Sequence, residues 1–320
     1  MFVSNRIRVR HVLHTSWKSL IYFLSLSVGV CLLHYEFEIN ELTLPFNAIA
    51  TFSTALAIYL GFKNNQAYDR WWEGRRIWGL LVNYSRAFAR EVLTFPQSDD
   101  LAEQAEIEDW KRRTIMRHVA FVHGLRVFLR RPNGHVRPEQ PLVRNSNDYN
   151  DLLPFLSADE YDDVVTRRNP PNQLQRLQGE ALEEAHRRKW LTDYRFVAMS
   201  RTLSEFNNHQ GKAERIKGTP LPRGYTIYSR IFVFLHGTML PFAFIESLGW
   251  LNIPLTFSIN FVFLSLDQLG HYTEDPFENR ASDVPLTTIS LTIEENLKEM
   301  LDRPDGEMPL KPKPIEGVIF

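Results

Sequence analysis

Residues 59–79 read YLGFKNNQAYDRWWEGRRIWG, and two very different halves of the chain meet in them. Upstream, LTLPFNAIATFSTALAIYLGF (42–62) runs for 21 residues without Asp, Glu, Lys or Arg. Downstream come Lys63, Asp69, Arg70, Glu73, Arg75 and Arg76, with Trp71, Trp72 and Trp78 among them. Gly61 is the only helix breaker at the junction. A helix needs about 20 apolar residues to cross the hydrocarbon of a bilayer, and tryptophan rings are at home at its interface. The stretch therefore predicts one continuous helix that crosses a membrane, leaves the hydrocarbon between Lys63 and Arg70, and runs on into water. Within it Glu73 and Arg76 have the spacing to pair, whereas the like-charged Asp69 and Glu73 require arginines from elsewhere.

Three further charge-free runs occur: 19–35 (17 residues), 231–245 (15) and 247–266 (20). The third of the four spans is short and must borrow from the YTIYS before it. A signal peptide would explain the first span and its basic flank, but the run ends in HYEFE with no small-x-small cleavage site. The N-terminal segment carries Arg6, Arg8, Arg10 and Lys18, while the links EFEINE (36–41) and the one around Glu246 carry no Lys or Arg. The positive-inside rule then places both termini and the central region in the cytoplasm. The expected organisation is a single domain over 1–302. It has membrane hairpins at about 17–62 and 226–266, a cytoplasmic region at about 63–225 and 267–302, and a flexible Pro/Lys-rich tail at 303–320.

Composition agrees with this division. A mean hydropathy of −0.27 looks soluble, but apolar spans diluted by charged helices give the same mean. A net charge of −1 in 320 residues argues against a nucleic-acid partner, which needs a basic excess. Cys31, the one cysteine, excludes intramolecular disulfides and multi-cysteine metal sites.

The cytoplasmic part reads as helical. Ser98 before Asp99 and Asp100 starts a helix that runs to Arg130 and Arg131 and stops at Pro132. Residues 132–154 read as loop. Ser157 caps a short helix, Asn169-Pro170-Pro171 breaks the chain, and 172–206 has unbroken helical spacing with Glu183–Arg187 and Glu184–Arg188 pairs. A last amphipathic helix covers about 286–301. Charge runs at this spacing are ordinarily solvated faces or subunit contacts.

No phosphate-binding loop, HExxH or GxSxG is present, and no acid–base pair assembles, so no catalytic residue and no metal ligand is assigned. His118 and His123 are five apart, on different helix faces. His34 and His236 lie in or near apolar spans, where a polar group can mark a pathway but more often bonds a neighbouring helix. In the second span Thr54, Ile58 and Phe62 share one face, four residues apart. In a ring of such helices they would form a narrow apolar constriction of the kind that gates by dewetting; otherwise the stripe simply packs on a neighbouring span.

A resemblance selects between these. G61-F62, seven residues, R70-W71-W72, then E73-G74-R75-R76-x-W78-G79 resembles the signature of the bestrophin ion channels, prokaryotic members especially. QGKAERIKGTPLPRGY (210–225) and EDPFENRASDVPL (274–286) are similar to further family motifs, and the likeness extends over about 5–302. It implies an all-α homopentamer with one central pore, four membrane helices per subunit and a helical cytoplasmic region, in the plasma membrane (the inner membrane of a Gram-negative cell). It implies a neck at Thr54, Ile58 and Phe62. Thr54 departs from the usual apolar side chain and should make the outer end wetter. A second, cytoplasmic constriction is implied near Tyr194, with Phe196 as the other candidate.

Eukaryotic members carry a calcium clasp after the fourth span. Here Asp275 and Asp283 remain, but Arg280 falls where a carboxylate would be expected. Calcium wants six to eight oxygens, so no calcium and no other cofactor is expected. Glu274 and Asp275 are instead expected to pair with Arg70, Arg75 or Arg76. The implied function is passive conduction of small monovalent ions, chloride-type anions favoured. The carboxylates of Glu36, Glu38 and Glu41 at the outer mouth argue for monovalent cations. A membrane-anchored scaffold and a membrane enzyme stand as alternatives.

Overall fold

The computed structural model describes residues 9–39, 41, 43–131 and 149–301, with side chains from residue 16 onward. The expected tail at 303–320, most of the 132–154 loop and the basic segment before residue 9 lie outside the described residues. Among the described residues every regular element is a helix. They are α1 (Val9–Tyr35), α2 (Phe46–Thr94), α3 (Leu101–Leu129), α4 (Ala158–Val165), α5 (Pro170–Arg187), α6 (Asp193–Gly218), α7 (Arg223–Leu248), α8 (Asn252–Thr273) and α9 (Leu286–Met300), with short 3₁₀ helices at Tyr149–Phe155, where the sequence read as loop, and at Gly249–Leu251. α2 is a single helix of 49 residues through the whole 59–79 stretch, as its sequence predicts. It ends at Thr94, where Phe95 precedes Pro96 and is disfavoured in helical conformation.

The described residues divide into two compact units, one within 9–71 and 220–275, the other within 72–219 and 276–301. The first holds α1, the first half of α2, α7 and α8. Its interior is apolar: Leu20, Phe23, Leu56, Leu60, Val233 and Leu264 form one buried cluster, ringed by phenylalanines. Its surface is apolar too, with Ile21, Ile227 and Ile231 each about half exposed. Helices apolar on both faces suit a lipid surrounding.

By length and apolarity, two stretches of this unit qualify as membrane spans: Ser16–Tyr35, and Arg223–Thr273, which contains both α7 and α8. The apolar part of α2 is cut short by Lys63.

Several buried polar groups in this unit bond each other across helices. Ser27 meets Thr256 at 2.8 Å and Ser53 meets His236 Nε2 at 2.6 Å. Pro241 lies inside α7 and lacks the N–H that would serve the Gly237 carbonyl. The Asn260 amide approaches that carbonyl at 3.5 Å instead. Gly237 itself is required, because a Cβ there would stand 2.5 Å from the Phe23 ring and 2.6 Å from Asn260 Oδ1. Gly249, at φ +56°, closes α7 before the short link to α8.

The second unit packs α3 against α5, α6 and α9. His118 is its hub: Nε2 meets Ser85 Oγ at 2.9 Å and the ring lies 4.4 Å from that of Phe206. Burial alone pushes its pKa down to about 3, so it is neutral. Arginines spaced along α3 fasten the segments that follow it, Arg117 to Glu160 and Arg126 to Asp151.

Four local expectations are corrected here. Asp100, not Ser98, is the N-cap of α3, its carboxylate accepting from Ala102 N at 2.9 Å; Ser98 serves Asp100 N and Glu103. The 172–206 helix is two helices, parted where Lys189 takes φ 62° and Thr192 caps α6; Glu184–Arg188 forms at 3.1 Å across the end of α5. Glu73 pairs with Arg215 at 2.7 Å rather than with Arg76. Ser157 caps α4, and Asn169 with Pro170 at the first turn starts α5, so the expected break is a helix start.

Candidate pore-lining site

α2 presents two opposite faces in the first unit. Ile49, Leu56, Leu60, Lys63 and Ala67 are buried against its neighbours. Thr54, Ile58 and Phe62 face away from them; Ile58 is 55% exposed and Phe62 67%. The stripe therefore does not pack on α1, α7 or α8. Gly61 also lies on this side, with open space where a Cβ would stand. The Thr54 hydroxyl donates to its own helix, to the Ala50 carbonyl at 2.9 Å. It can still accept from water, but its proton is committed.

Behind Phe62 lies a group the sequence reading missed. Lys63 was expected to mark the exit from hydrocarbon, yet it is 1% exposed and turned inward. Its Nζ sits 2.8 Å from Asp267 Oδ1 on α8 and 2.8 Å from Ser229 Oγ on α7. The signal available in the sequence was a pair of opposite charges at the ends of two apolar spans, read there only as boundaries.

The second candidate constriction lies at the start of α6. Tyr194 is 92% exposed, and Phe196, partly buried, stacks on His186 at 4.7 Å.

The acidic segment after α8 divides between the two units. In the first, Arg70 Nε donates to the Glu274 carbonyl at 2.9 Å and its guanidinium lies 3.9 Å from Asp275; the Glu274 carboxylate, expected on an arginine, meets His271 at 3.3 Å and Thr226 at 3.4 Å. In the second, Asp283 is buried and accepts from the Arg280 backbone N–H at 2.9 Å. Burial, partly offset by the Arg280 hydrogen bond and charge, pushes its carboxyl up to about 7. Phe277 and Pro276 lie on α2 at Gly74, where a Cβ would meet the Phe277 ring at 3.1 Å.

The histidines take helix-bonding roles, His236 with Ser53 and His123 with Glu294 at 2.9 Å. Among the described residues no cluster of three or more His, Cys, Asp or Glu side chains could hold a metal ion.

Comparison with known proteins agrees with the sequence motifs. The family model for bacterial and fungal bestrophin proteins matches residues 5–299. A voltage-dependent anion channel-forming protein of Salmonella typhimurium, YneE, is 33% identical over 285 residues, 89% of this chain and 85% of its own. One from Ralstonia nicotianae is 30% identical over 286 residues, covering 89% and 86%. The crystal structure of a bacterial bestrophin homologue from Klebsiella pneumoniae superposes with a TM-score of 0.78 at 27% identity, over 89% of this chain and 97% of that one. A fold matched along nearly its whole length, with sequence relatives over the same span, makes the chain a member of the bacterial and fungal bestrophin family.

Proposed function

We propose that the protein is a passive ion channel, a homopentamer of four membrane helices per subunit, conducting small monovalent ions with chloride-type anions preferred. One observation carries the reading: an apolar stripe of α2 at Thr54, Ile58 and Phe62 that no helix of its own unit covers. A stripe of this kind on a membrane helix must face lipid, another subunit or a pore. The Gly61 gap and the Thr54 hydroxyl on the same side favour a narrow lumen over a lipid face.

Related chains that carry anion-channel names support the choice of ion. So do Arg76 and Arg90, exposed on the later turns of α2. Passive flow needs shape and lining groups and no catalytic residue. The protein would lie in the plasma membrane (the inner membrane of a Gram-negative cell) with both termini cytoplasmic.

Tyr194 is proposed as the cytoplasmic constriction, being free of intrachain cover where Phe196 is engaged with His186. No calcium clasp is proposed: the Asp283 carboxyl already accepts from the Arg280 N–H and burial disfavours its charged form.

A monovalent-cation channel is the second reading, favoured by Glu36, Glu38 and Glu41, all exposed in the α1–α2 link. The reversal potential of the purified protein in a planar bilayer under a potassium chloride gradient decides. The expected sign is that of chloride. The sign of potassium would establish the cation reading, and absence of current would leave a scaffold or an enzyme.

A further inference from the structure

We infer that Lys63, Asp267 and Ser229 form a buried polar clamp that sets the rotation of α2 and so positions Phe62 at the inner end of the neck. This rests on the channel reading.

The geometry is confined to one unit. Lys63 follows Phe62 directly, about 100° round the helix from it, and turns into the unit: Phe62 is 67% exposed and Lys63 1%. Its ammonium takes both available partners, Asp267 and Ser229, each at 2.8 Å, and Ser229 donates to the same Asp267 oxygen at 2.7 Å. The triangle thus joins α2, α7 and α8 through one closed set of hydrogen bonds.

Two further contacts flank it. Asn64 Nδ2 donates to the Leu266 carbonyl at 3.0 Å, and Gly270 leaves room for that amide, since a Cβ there would stand 2.2 Å from Asn64 Oδ1. One turn earlier, the Tyr59 hydroxyl donates to the Tyr225 carbonyl at 3.2 Å and its ring stacks on Tyr225 at 6.3 Å.

Polar contacts therefore hold α2 on both sides of Phe62 in the chain. The apolar partners, Leu56 and Leu60, contribute burial that is non-directional and leave a helix free to turn by a fraction of a residue. Hydrogen bonds weaken steeply with angle, and each residue is a 100° step around the helix. A charge pair among apolar helices is expensive and ordinarily has a specific use. Here the use is angular: it keeps the Phe62 ring aimed away from α7 and α8.

The test is a mutant cycle read in single-channel conductance. Phe62→Ala is introduced into the wild type, Ser229→Ala, Lys63→Met, Asp267→Asn and the exchanged pair Lys63→Asp with Asp267→Lys. Oligomer size is measured for each. Contacting residues couple by factors of about two or more. The conductance increase caused by Phe62→Ala is therefore expected to shrink by about twofold or more in the three single backgrounds, and to return with the exchanged pair. An undiminished increase in single variants of native oligomer size would overturn the clamp. Where the charge variants fail to assemble, Ser229→Ala decides by the same criterion. Absence of current from the wild type overturns the channel reading and the clamp together, whereas the undiminished increase overturns the clamp alone.

Discussion

Replacing Ile58 and Phe62 with alanine, singly and together, is expected to raise single-channel conductance several-fold, with Phe62→Ala the larger single effect. Both side chains stand on the uncovered face of α2, so neither replacement opens a cavity inside the subunit. Cavity penalties of the Leu→Ala or Phe→Ala kind, about 3–5 kcal/mol in a packed core, therefore do not apply. What changes is the bore. In a narrow apolar passage the barrier to an ion is the loss of its water, and widening the passage by a ring per subunit lets the hydrated ion through. Thr54→Ala changes less, because the Thr54 proton already serves the Ala50 carbonyl. Single-channel recording reads the effect directly, and unchanged conductance in both variants would remove Ile58 and Phe62 from the neck.

Asp283→Asn is expected to change the pH dependence of stability by about 3 kcal/mol between mildly acidic and mildly alkaline conditions. The folded protein holds the Asp283 carboxyl at about 7, against an ordinary 3.8, chiefly through burial. An acid whose folded pKa lies above its unfolded value stabilises the fold fully below the unfolded value, and the contribution is lost as pH rises through the folded one. The window therefore runs from about 4 to about 7, and the ceiling is about 4 kcal/mol.

The asparagine variant has no proton to lose. Its thermal midpoint in detergent should gain on the wild type as pH rises from about 5 to about 8. His118 works in the opposite sense: its pKa is depressed to about 3 by burial, so it costs stability as pH falls below its ordinary value. Both proteins share that term, and the difference between their midpoints removes it. Equal midpoint differences at the two pH values would show that the Asp283 charge is not buried as described.

What could be read from the sequence follows from how local the determinants are. The continuity of α2 was legible because helix propagation depends on neighbours three and four residues apart, and nothing between Phe46 and Thr94 interrupts it. The cap at Ser157 was legible for the same reason, whereas Asn169-Pro170-Pro171 was read as a break although it starts α5. The break near Lys189 was missed: its positive φ ends a run of helix-favouring side chains, and the local signal, Thr192 as N-cap before Asp193, lay inside a segment read as one helix.

Side-chain partners across elements were the least legible. Glu73 chose Arg215, 142 residues away, over an arginine on its own helix. Lys63 looked like a membrane boundary because a lone lysine at the end of an apolar run ordinarily is one. Its inward turn depends on Asp267 being 204 residues distant in the chain and adjacent in the fold. The neck stripe could be proposed from spacing and motif together. Its freedom from intrachain packing became visible only with α1, α7 and α8 in place.

The central claim is that the Thr54–Ile58–Phe62 face of α2 lines an ion path. It is most directly tested by cysteine accessibility, for which Cys31, the single native cysteine and fully buried, is first replaced in a Cys31→Ser background. Ile58→Cys is then introduced and bilayer current recorded while a charged, membrane-impermeant thiol reagent is added. Prompt and irreversible loss of current is expected, with Leu56→Cys, on the buried face of the same helix, left unaffected. Undisturbed current through a fully expressed Ile58→Cys channel, or equal block at both positions, would contradict it.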